Sequence, residues 1–322
     1  MPRNEESDEL AALRAIARWT GRPPEGETWV GDDAAVLASP GAGELLFATD
    51  LLVESVHFSR ALSPLSAVGW KALVCNLSDL AAMAGQVTAA VVGVAGATIG
   101  DLEALFEGLL EAGSHYGCPV VGGDLSDGGE LVISVAVLGT SGLHGAVLRS
   151  GARAGDHVFV TGALGAAAAG LRELLVDRGA QGPNVDAQRR PIARIAEGAA
   201  ASTGGASAMI DVSDGFGLDI DRLASASGVG VRLDEVPIAP GATLAEALGG
   251  GEDYELVFTA PDWGKVYDAF DLAGLERPTR IGEVVVDPGS RLLGGRPFAA
   301  TGYAHGLGPQ RQATAEHHSA VN

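Results

Sequence analysis

The densest group of side chains that could do chemistry lies at residues 210–221, which read IDVSDGFGLDID. Four aspartates fall in this segment, with no Lys or Arg among them: Asp211, Asp214, Asp219 and Asp221. Carboxylates this close repel one another unless protons or cations compensate, and hard divalent cations prefer such oxygen ligands. Taken alone, the segment fits equally well an aspartate N-cap on a helix with a solvated acidic face.

Five further clusters place carboxylates beside glycine, hydroxyl or amide side chains, each next to an apolar stretch where a strand ends or a helix begins. They are Gly31-Asp32-Asp33, Thr49-Asp50 with Glu54, Asn76-Leu77-Ser78-Asp79, Gly122-Gly123-Asp124 with Ser126-Asp127, and Gly250-Gly251-Glu252-Asp253. Asn76 and Asp79 are three residues apart in a predicted helix, so they share one face. The whole set favours Mg²⁺-bridged phosphate chemistry, in which positioning and charge neutralisation do most of the catalysis.

Alternating helix and strand patterns must position these clusters, and they predict an α/β or α+β fold with a mixed sheet. The predicted helices cover residues 8–19, 66–84, 100–116, 162–175, 191–203, 215–227, 243–248 and 263–273. The predicted strands cover residues 44–50, 87–94, 119–123, 131–140, 157–161, 208–212, 229–233, 254–259 and 279–286. Gly85 is expected just after the second helix as its C′ residue, and residues 178–190 have a loop-like composition. A polar connection at 149–156 divides the chain into an N-terminal domain at 1–147 and a C-terminal domain at 148–322.

The composition limits the kinds of partner. The 322 residues are 47% apolar, enough for the cores of two domains, and the formal net charge is −20. Such acidity argues against nucleic-acid or anionic-membrane partners, and it would repel a phosphate substrate unless Mg²⁺ is bound. No apolar run approaches the roughly 18 residues of a membrane span, and the first residues do not resemble a signal peptide. We therefore expect a cytoplasmic protein with a frayed tail at 310–322.

Common catalytic motifs are missing from the sequence: it contains no P-loop, complete GxGxxG, nucleophile elbow, HExxH or CxxC. The segment GALG at 162–165 follows a predicted strand and opens a helix, which is a weak phosphate-cradle signal that close helix packing explains better. His57 is either a structural histidine or a ligand contact. Arg149 is either a phosphate clamp or a solvated linker arginine.

Seven motifs, taken together, occur in an order and spacing that resemble the thiamine-monophosphate kinases, within the superfamily of aminoimidazole ribonucleotide synthetase. They are GDDAAV at 31–36, ATDLLVESVHF at 48–58, KALVCNLSDLAAMAG at 71–85, VVGGDLSDG at 120–128, LRSGARAGD at 148–156, DVSDGFGLDID at 211–221 and GGEDYELVF at 250–258. The resemblance implies an N-terminal domain whose four-stranded sheet pairs with its twin in a homodimer, and a C-terminal α/β domain that completes the active-site cleft. It also implies phosphorylation of thiamine monophosphate to thiamine diphosphate, with ATP as co-substrate and several Mg²⁺ ions.

The same resemblance assigns roles by matching position. The implied metal ligands are Asp33, Ala48, Thr49, Asp50, Asp79, Asp124, Asp211 and Asp214, with Asp50 and Asp211 also catalytic. The implied ATP contacts are Tyr116, Gly123, Asp124, Arg149 and Ser213, and the implied thiamine contacts are His57, Glu252 and Tyr303. Three features differ or stay open: Ala48 stands where the family commonly has Ser, so its carbonyl would have to ligate; Leu125-Ser126 replaces Thr-Thr; and His115 could meet the nucleotide instead of Tyr116.

Two alternatives stay open at this point. Another ATP-dependent member of the superfamily is the nearest rival, although selenophosphate synthetase typically needs a reactive Cys near its N-terminus and the first cysteine here is Cys75. A non-catalytic divalent-cation-binding protein is the rival from a different class. It would need neither an ATP clamp nor a pocket containing His57 and Glu252.

Overall fold

The structure is a computed structural model that describes residues 23–28, 32–38 and 43–303. The predicted helix at 8–19, Gly31 and the predicted tail at 310–322 lie outside these residues. Within them the strands form two sheets, and helices accompany each sheet. This arrangement confirms the predicted mixed α/β class.

The first sheet is built from the N-terminal part of the chain. Its elements are β1 (Ala35–Leu37), β2 (Leu45–Val53), α1 (Leu65–Ala82), β3 (Gly85–Ala95), α2 (Ile99–Tyr116), β4 (Val120–Ser126) and β5 (Val132–Ser141). The strand order is β1-β2-β5-β3-β4; β3 and β4 pair in parallel, and the other pairs are antiparallel. The four strands that the resemblance implied are one too few, because the short β1 after the first acidic turn pairs with β2.

One face of this sheet is covered by α1, and α2 packs against α1 in turn. Along β2 the side chains of Leu46 and Ala48 are buried, whereas those of Phe47 and Leu51 are exposed. Because side chains alternate along a strand, Asp50 points to the covered face with Ala48. The opposite face presents exposed apolar side chains.

Gly85 does not cap the helix as the sequence predicted. Ala84 takes the left-handed conformation instead, with φ of 54°, and Gly85 begins β3. A Cβ atom on Gly85 would lie 2.6 Å from Leu46 Cδ1 and 3.0 Å from the Leu80 carbonyl oxygen. The glycine is therefore required by the close approach of strand and helix rather than by a turn.

The second sheet is built from the C-terminal part of the chain. Its strands are β6 (His157–Val160), β7 (Ala208–Asp211), β8 (Gly230–Leu233), β9 (Leu256–Ala260), β10 (Thr279–Val285), β11 (Arg291–Leu293) and β12 (Arg296–Pro297). Its helices are α3 (Ala166–Val176), α4 (Pro183–Arg189), α5 (Ile195–Thr203), α6 (Phe216–Ser227), α7 (Leu244–Gly249) and α8 (Trp263–Leu272). The strand order is β12-β11-β8-β10-β6-β9-β7, and β8 pairs with β11 in parallel, which confirms a mixed sheet.

Two further predictions differ from the structure. The segment 178–190 contains α4, which starts at Pro183, where the missing N–H of proline is tolerated. β4 does not end at Gly123 but continues to Ser126 alongside β3. A Cβ atom on Gly123 would lie 1.8 Å from the Val92 carbonyl oxygen, so this parallel pairing requires glycine.

The two halves meet along α1, which packs against the first sheet and also against α5 and β7. Residues 142–156, between β5 and β6, contain neither helix nor strand, and the predicted domain division at 147/148 falls there. That division stays a prediction. Across residues 23–28, 32–38 and 43–303, no helix has the length and apolar character needed to cross a membrane.

Candidate active site

Three carboxylates from distant parts of the sequence meet where α1 reaches the second sheet. Asp33 precedes β1, Asp79 lies in the last turn of α1, and Asp211 is the last residue of β7. One carboxylate oxygen from each lies within 4.8 Å of the others. We call these three residues the acidic cluster, and the structure thus brings together three of the predicted metal ligands.

Asp50 adjoins the acidic cluster from β2. Burial raises the pKa of both Asp79 and Asp211, and the neighbouring Asp50 carboxylate raises each further. The Asp50 backbone N–H donates to Asn76 Oδ1 at 2.9 Å, and Asn76 Nδ2 donates to the Ala72 carbonyl oxygen at 2.9 Å. The fully buried Asn76 therefore fixes β2 against α1 at the point where Asp50 enters the site.

Ala48 and Thr49 are placed differently. The Ala48 side chain is buried on the same face as Asp50. The Thr49 side chain is on the opposite face, and its hydroxyl donates to the Val135 carbonyl oxygen at 2.8 Å. The Thr49 hydroxyl is therefore directed away from the acidic cluster.

Ser78 is a site residue that sequence reasoning missed. Its buried hydroxyl donates to Asp211 Oδ2 at 2.6 Å, and the Ser213 hydroxyl donates to Asp211 Oδ1 at 3.2 Å. Both Asp211 oxygens are thus held, one from α1 and one from the loop after β7. The adjacent hydroxyl and carboxylate of Ser78-Asp79 were the available signal, but sequence alone did not show that Ser78 faces another aspartate.

Burial dominates the electrostatics of the acidic cluster. It raises the pKa of Asp33 to about 8, although the Arg149 guanidinium acts in the opposite direction. It raises the pKa of Asp211 to about 6, against a lowering by the Ser78 hydrogen bond. The pKa of Asp79 is raised well above its usual range by burial and then by Asp50 and Asp211. At neutral pH the cluster needs protons or a cation to offset its charge.

The acidic cluster fits a hard divalent cation such as Mg²⁺. Asp33 Oδ2 is buried without a hydrogen-bond partner, which is uncommon for a buried polar atom. Asp79 lies near the C-terminal end of α1, where the helix dipole disfavours a carboxylate. A cation bound by these residues would satisfy the oxygen of Asp33 and offset the charge of Asp79.

The four aspartates of residues 210–221 have separate roles. Asp211 belongs to the acidic cluster, and the charge of Asp214 is one of the causes that raise its pKa after burial. Asp219 accepts hydrogen bonds from the backbone N–H groups of Asp214 and Gly215 at 3.1 Å, so it organises the turn before α6. Asp221 pairs with Arg291 at 2.8 Å. Asp219 is a buried residue of the first turn of α6 and not its N-cap, which is Gly215, so the interpretation as an aspartate N-cap on a solvated face is wrong. Asp214 pairs with Arg222, and of the four aspartates only Asp211 lies in the acidic cluster.

Arg149 is not a solvated linker arginine. Its Nη2 lies 2.6 Å from Asp33 Oδ1, and its backbone N–H donates to the Asp32 carboxylate at 3.2 Å. The connection between the two sheets therefore carries a partly buried cation directly into the site.

Tyr116 and Asp124 lie away from the acidic cluster. The Tyr116 hydroxyl accepts a hydrogen bond from the Ala193 backbone N–H at 2.9 Å, and the Tyr116 ring lies edge-on to His115 with centroids 4.6 Å apart. His115 is exposed and Tyr116 is half-buried, so both rings border the surface. Asp124 is exposed on β4, which is separated from β2 by β5 and β3. Three strand spacings make this separation about 14 Å.

The predicted thiamine contacts come from three separate segments of the chain. His57 lies in the turn after β2, where its Nδ1 accepts the Val53 N–H at 3.0 Å, which places the proton of the neutral ring on Nε2. Glu252 follows the glycines at 250–251 and pairs with Lys71 on α1 at 2.8 Å. Tyr303 is bound to the same turn as Asp214, since its backbone N–H donates to the Asp214 carbonyl oxygen at 2.8 Å.

The GALG segment at 162–165 binds a carboxylate of the chain itself. Asp253 Oδ2 accepts the Gly165 N–H at 2.6 Å, and Asp253 Oδ1 accepts the Ala167 N–H at 3.2 Å. These are the N–H groups at the start of α3 that a phosphate would use. A Cβ atom on Gly165 would also lie 2.8 Å from the Ala247 backbone nitrogen in α7, so the close-packing interpretation agrees with the structure.

Family models and individual relatives both match this chain over most of its length. The family model described as AIR synthase related protein, N-terminal domain, matches residues 31–141, and the corresponding C-terminal domain model matches residues 153–294. The thiamine-monophosphate kinase of Synechococcus elongatus is 34% identical, with 80% of this chain and 84% of the relative covered. The thiamine-monophosphate kinase of Bacillus subtilis is 33% identical, with 89% of this chain and 94% of the relative covered.

A solved structure is also similar over nearly the whole chain. The structure of AaThiL complexed with AMPPCP and TMP has a TM-score of 0.82 and 31% sequence identity. The match covers 95% of this chain and 99% of that one.

Proposed function

The chain belongs to the AIR synthase related family and, within it, to the thiamine-monophosphate kinases, and we propose that it phosphorylates thiamine monophosphate to thiamine diphosphate with ATP as co-substrate. The observation that carries this proposal is the acidic cluster at the junction of the two sheets. AaThiL, which has been solved with AMPPCP and TMP, supports the same pair of substrates for this chain.

The acceptor of this reaction is a phosphate oxyanion, so direct in-line transfer requires no strong general base. Mg²⁺ ions held by Asp33, Asp79 and Asp211, with Asp50 adjoining, would neutralise the charge of both substrates and bring them together. The chain's own part is positional: Ser78 and Ser213 hold the oxygens of Asp211, and Asn76 holds the backbone at Asp50. We assign Asp50 and Asp211 the catalytic role.

We assign Arg149 and Ser213 to the phosphates of ATP, and the contact of each with a cluster carboxylate supports this assignment. Arg149 would exchange part of its contact with Asp33 for a phosphate, because a guanidinium suits both oxyanions. Tyr116 is assigned to the nucleoside end. It packs on Trp70 with ring centroids 6.1 Å apart, and Trp70 precedes Asp79 by nine residues, or about 14 Å along α1.

His57, Glu252 and Tyr303 are assigned to the thiamine portion of the acceptor. They approach from the turn after β2, the loop before β9 and the segment after β12. His57 accepts the Val53 N–H through Nδ1, and the Glu252 side chain, which carries a carboxylate, is 31% exposed. The acceptor would thus lie between groups from both halves of the chain.

A second copy of the chain is proposed to cover the outer face of the first sheet as a homodimer. Phe47, Leu51 and Val91 are exposed on that face, and such apolar patches mark interaction sites. The strand register places Asp124 in one row with Gly93, Ser134 and Leu51. Asp124 and the Thr49 hydroxyl therefore share this face, and we assign their roles in the site to the dimer rather than to one copy.

We propose that the chain divides into two domains, each built on one of the two sheets. An N-terminal domain at 1–147 contains the first sheet, and a C-terminal domain at 148–322 contains the second. Arg149 lies just beyond the division and contacts Asp33, so the division passes beside the site.

One assay separates the proposed function from its rivals: incubation with γ-labelled ATP and, in turn, thiamine monophosphate, thiamine and an aminoimidazole ribonucleotide precursor. We expect label in thiamine diphosphate with the first acceptor alone. Label released only with the precursor would indicate the synthetase, and cation binding without turnover would indicate a non-catalytic protein. Thiol chemistry is disfavoured, because burial raises the pKa of Cys75 well above its usual range and that of Cys118 to about 11.

A further inference from the structure

Lys71 is a buried lysine on the helix that carries Asp79. It is one of the chain's two lysines, and 4% of its surface is exposed. Its Nζ lies 2.8 Å from Glu252 Oε1. A lysine is almost never this buried unless it is paired, because burying an uncompensated charge is costly. The ion pair joins α1 to the loop before β9.

The second oxygen of Glu252 has a partner from another element. Gln188 Nε2, on α4, donates to Glu252 Oε2 at 3.0 Å. Gln188 is also buried, with 7% of its surface exposed, whereas 31% of the Glu252 side chain is accessible. The two donors therefore hold the carboxylate from the protein interior and leave its outer edge accessible.

The backbone of this loop is held in an unusual conformation. Glu252 and Tyr254 have φ values of 58° and 50°, in the left-handed region that residues other than glycine rarely adopt. Asp253, between them, caps the start of α3, and Tyr254 is buried in the core of the first sheet. Such strain persists where the surroundings over-determine it and is concentrated at ligand sites. The side chain of Asp253 binds the loop to α3 and that of Tyr254 packs in the core of the first sheet, and together they fix the position of Glu252.

We propose that Lys71 and Gln188 are positioning residues for the acceptor substrate: they hold the Glu252 carboxylate so that its outer edge accepts an N–H donor of the thiamine aminopyrimidine ring. The inference rests on the proposed function. Because Lys71 offsets the negative charge of Glu252, the carboxylate recognises the ring through a directed hydrogen bond and not through charge attraction. Neither residue contacts ATP in this account.

The test compares Lys71→Met, Glu252→Gln and the double variant in steady-state kinetics, with each substrate varied in turn. Lys265→Met is the matched control, since Lys265 is the other lysine and is exposed on α8. We expect Lys71→Met and Glu252→Gln each to raise the KM for thiamine monophosphate about ten- to a hundredfold, as for a lost hydrogen bond to a charged group. The KM for ATP should stay within about twofold of the wild-type value. The double variant should have no higher KM for thiamine monophosphate than Glu252→Gln, because both substitutions disrupt the same Lys71–Glu252 interaction.

A merely structural role would give a different pattern. Lys71→Met would then lower the thermal midpoint and the active fraction, affect both substrates alike and add to Glu252→Gln, and this result would overturn the inference. If Lys71→Met does not fold, Gln188→Met tests the other oxygen, with a smaller rise in the same KM expected and an unchanged KM contradicting the proposal. Wild-type transfer to thiamine monophosphate combined with an unchanged KM in Glu252→Gln would overturn this inference and leave the proposed function standing.

Discussion

The Ser78 hydroxyl lies 2.6 Å from Asp211 Oδ2, and this hydrogen bond connects α1 to the last residue of β7. It lowers the pKa of Asp211, although burial outweighs it and the pKa of this carboxyl is still raised to about 6. The bond thus favours the charged carboxylate that a cation requires, and it fixes one of the two halves of the site against the other.

Replacing Ser78 with alanine should therefore lower kcat and raise the Mg²⁺ concentration needed for half-maximal rate. A hydrogen bond to a charged group contributes roughly 1.5–3 kcal/mol, which corresponds to about ten- to a hundredfold. Steady-state rates across a Mg²⁺ titration measure both effects. Ser114→Ala, at an exposed position of α2, is the control and should behave as wild type. An unchanged kcat and Mg²⁺ requirement in Ser78→Ala would remove Ser78 from the site.

The stability of the metal-free protein should depend on pH through the acidic cluster. The folded-state pKa is about 8 for Asp33 and about 6 for Asp211, both above the unfolded value of 3.8. Between pH 3.8 and these higher values, the folded state therefore binds more protons than the unfolded state. Stability from these groups is fully present below about pH 4 and is lost as pH rises through 6 and 8.

Mg²⁺ should reverse this loss, because it binds the ionised carboxylates and displaces protons. Thermal midpoints measured with EDTA and with millimolar Mg²⁺ should differ little at acidic pH and increasingly as pH rises past 8. A Mg²⁺-induced shift that is independent of pH would contradict the assignment of the metal to these residues.

His57→Ala should mainly raise the KM for thiamine monophosphate, with a smaller effect on the apparent affinity for ATP. His57 lies in the turn after the strand of Asp50, and the loss of a hydrogen bond from its ring to a charged group costs about ten- to a hundredfold. Kinetics with each substrate varied in turn provide the measurement. Weaker ATP binding with an unchanged KM for thiamine monophosphate would show that our assignment of the two substrate sites is wrong.

The outer face of the first sheet should be the dimer interface. Light scattering at micromolar concentration should give twice the 32.5 kDa chain mass for the wild type, and Phe47→Asp should shift the protein to the monomer. Phe47 is 45% exposed on that face. Leu175→Asp on α3, at another exposed apolar position, should leave the dimer intact. A monomeric wild type would exclude this arrangement.

The sequence was most informative where local chemistry alone determines structure. The apolar periodicity of 66–84 predicted α1 to within two residues, and the three-residue spacing placed Asn76 and Asp79 on one face of it. The ordered motifs also identified Asp33, Asp79 and Asp211 as partners, although these residues are 46 and 132 positions apart along the chain (79 − 33 and 211 − 79). In physical terms, the density of clustered carboxylates along the sequence was the signal.

Features that depend on tertiary contacts were not predictable from the sequence. Gly85 looked like a helix cap, yet the approach of Leu46 and the Leu80 carbonyl requires it. The sequence could not show that Asp124 shares a row with Leu51, since that follows from strand register. Lys71 stood out as one of two lysines, but its pairing with Glu252 requires a loop 181 residues away.

The most direct test of the central claim is single-turnover transfer of label from γ-labelled ATP to thiamine monophosphate. Wild type with Mg²⁺ should form labelled thiamine diphosphate, and EDTA should abolish the product. Asp211→Asn and Asp50→Asn should each slow transfer about 10²–10³-fold with only partial rescue by added Mg²⁺, as for the loss of an electrostatic contact to the transition state. Asp221→Asn, from the same motif but paired with Arg291, should transfer at the wild-type rate. Wild-type rates in Asp211→Asn, or full turnover in metal-free buffer, would contradict the account.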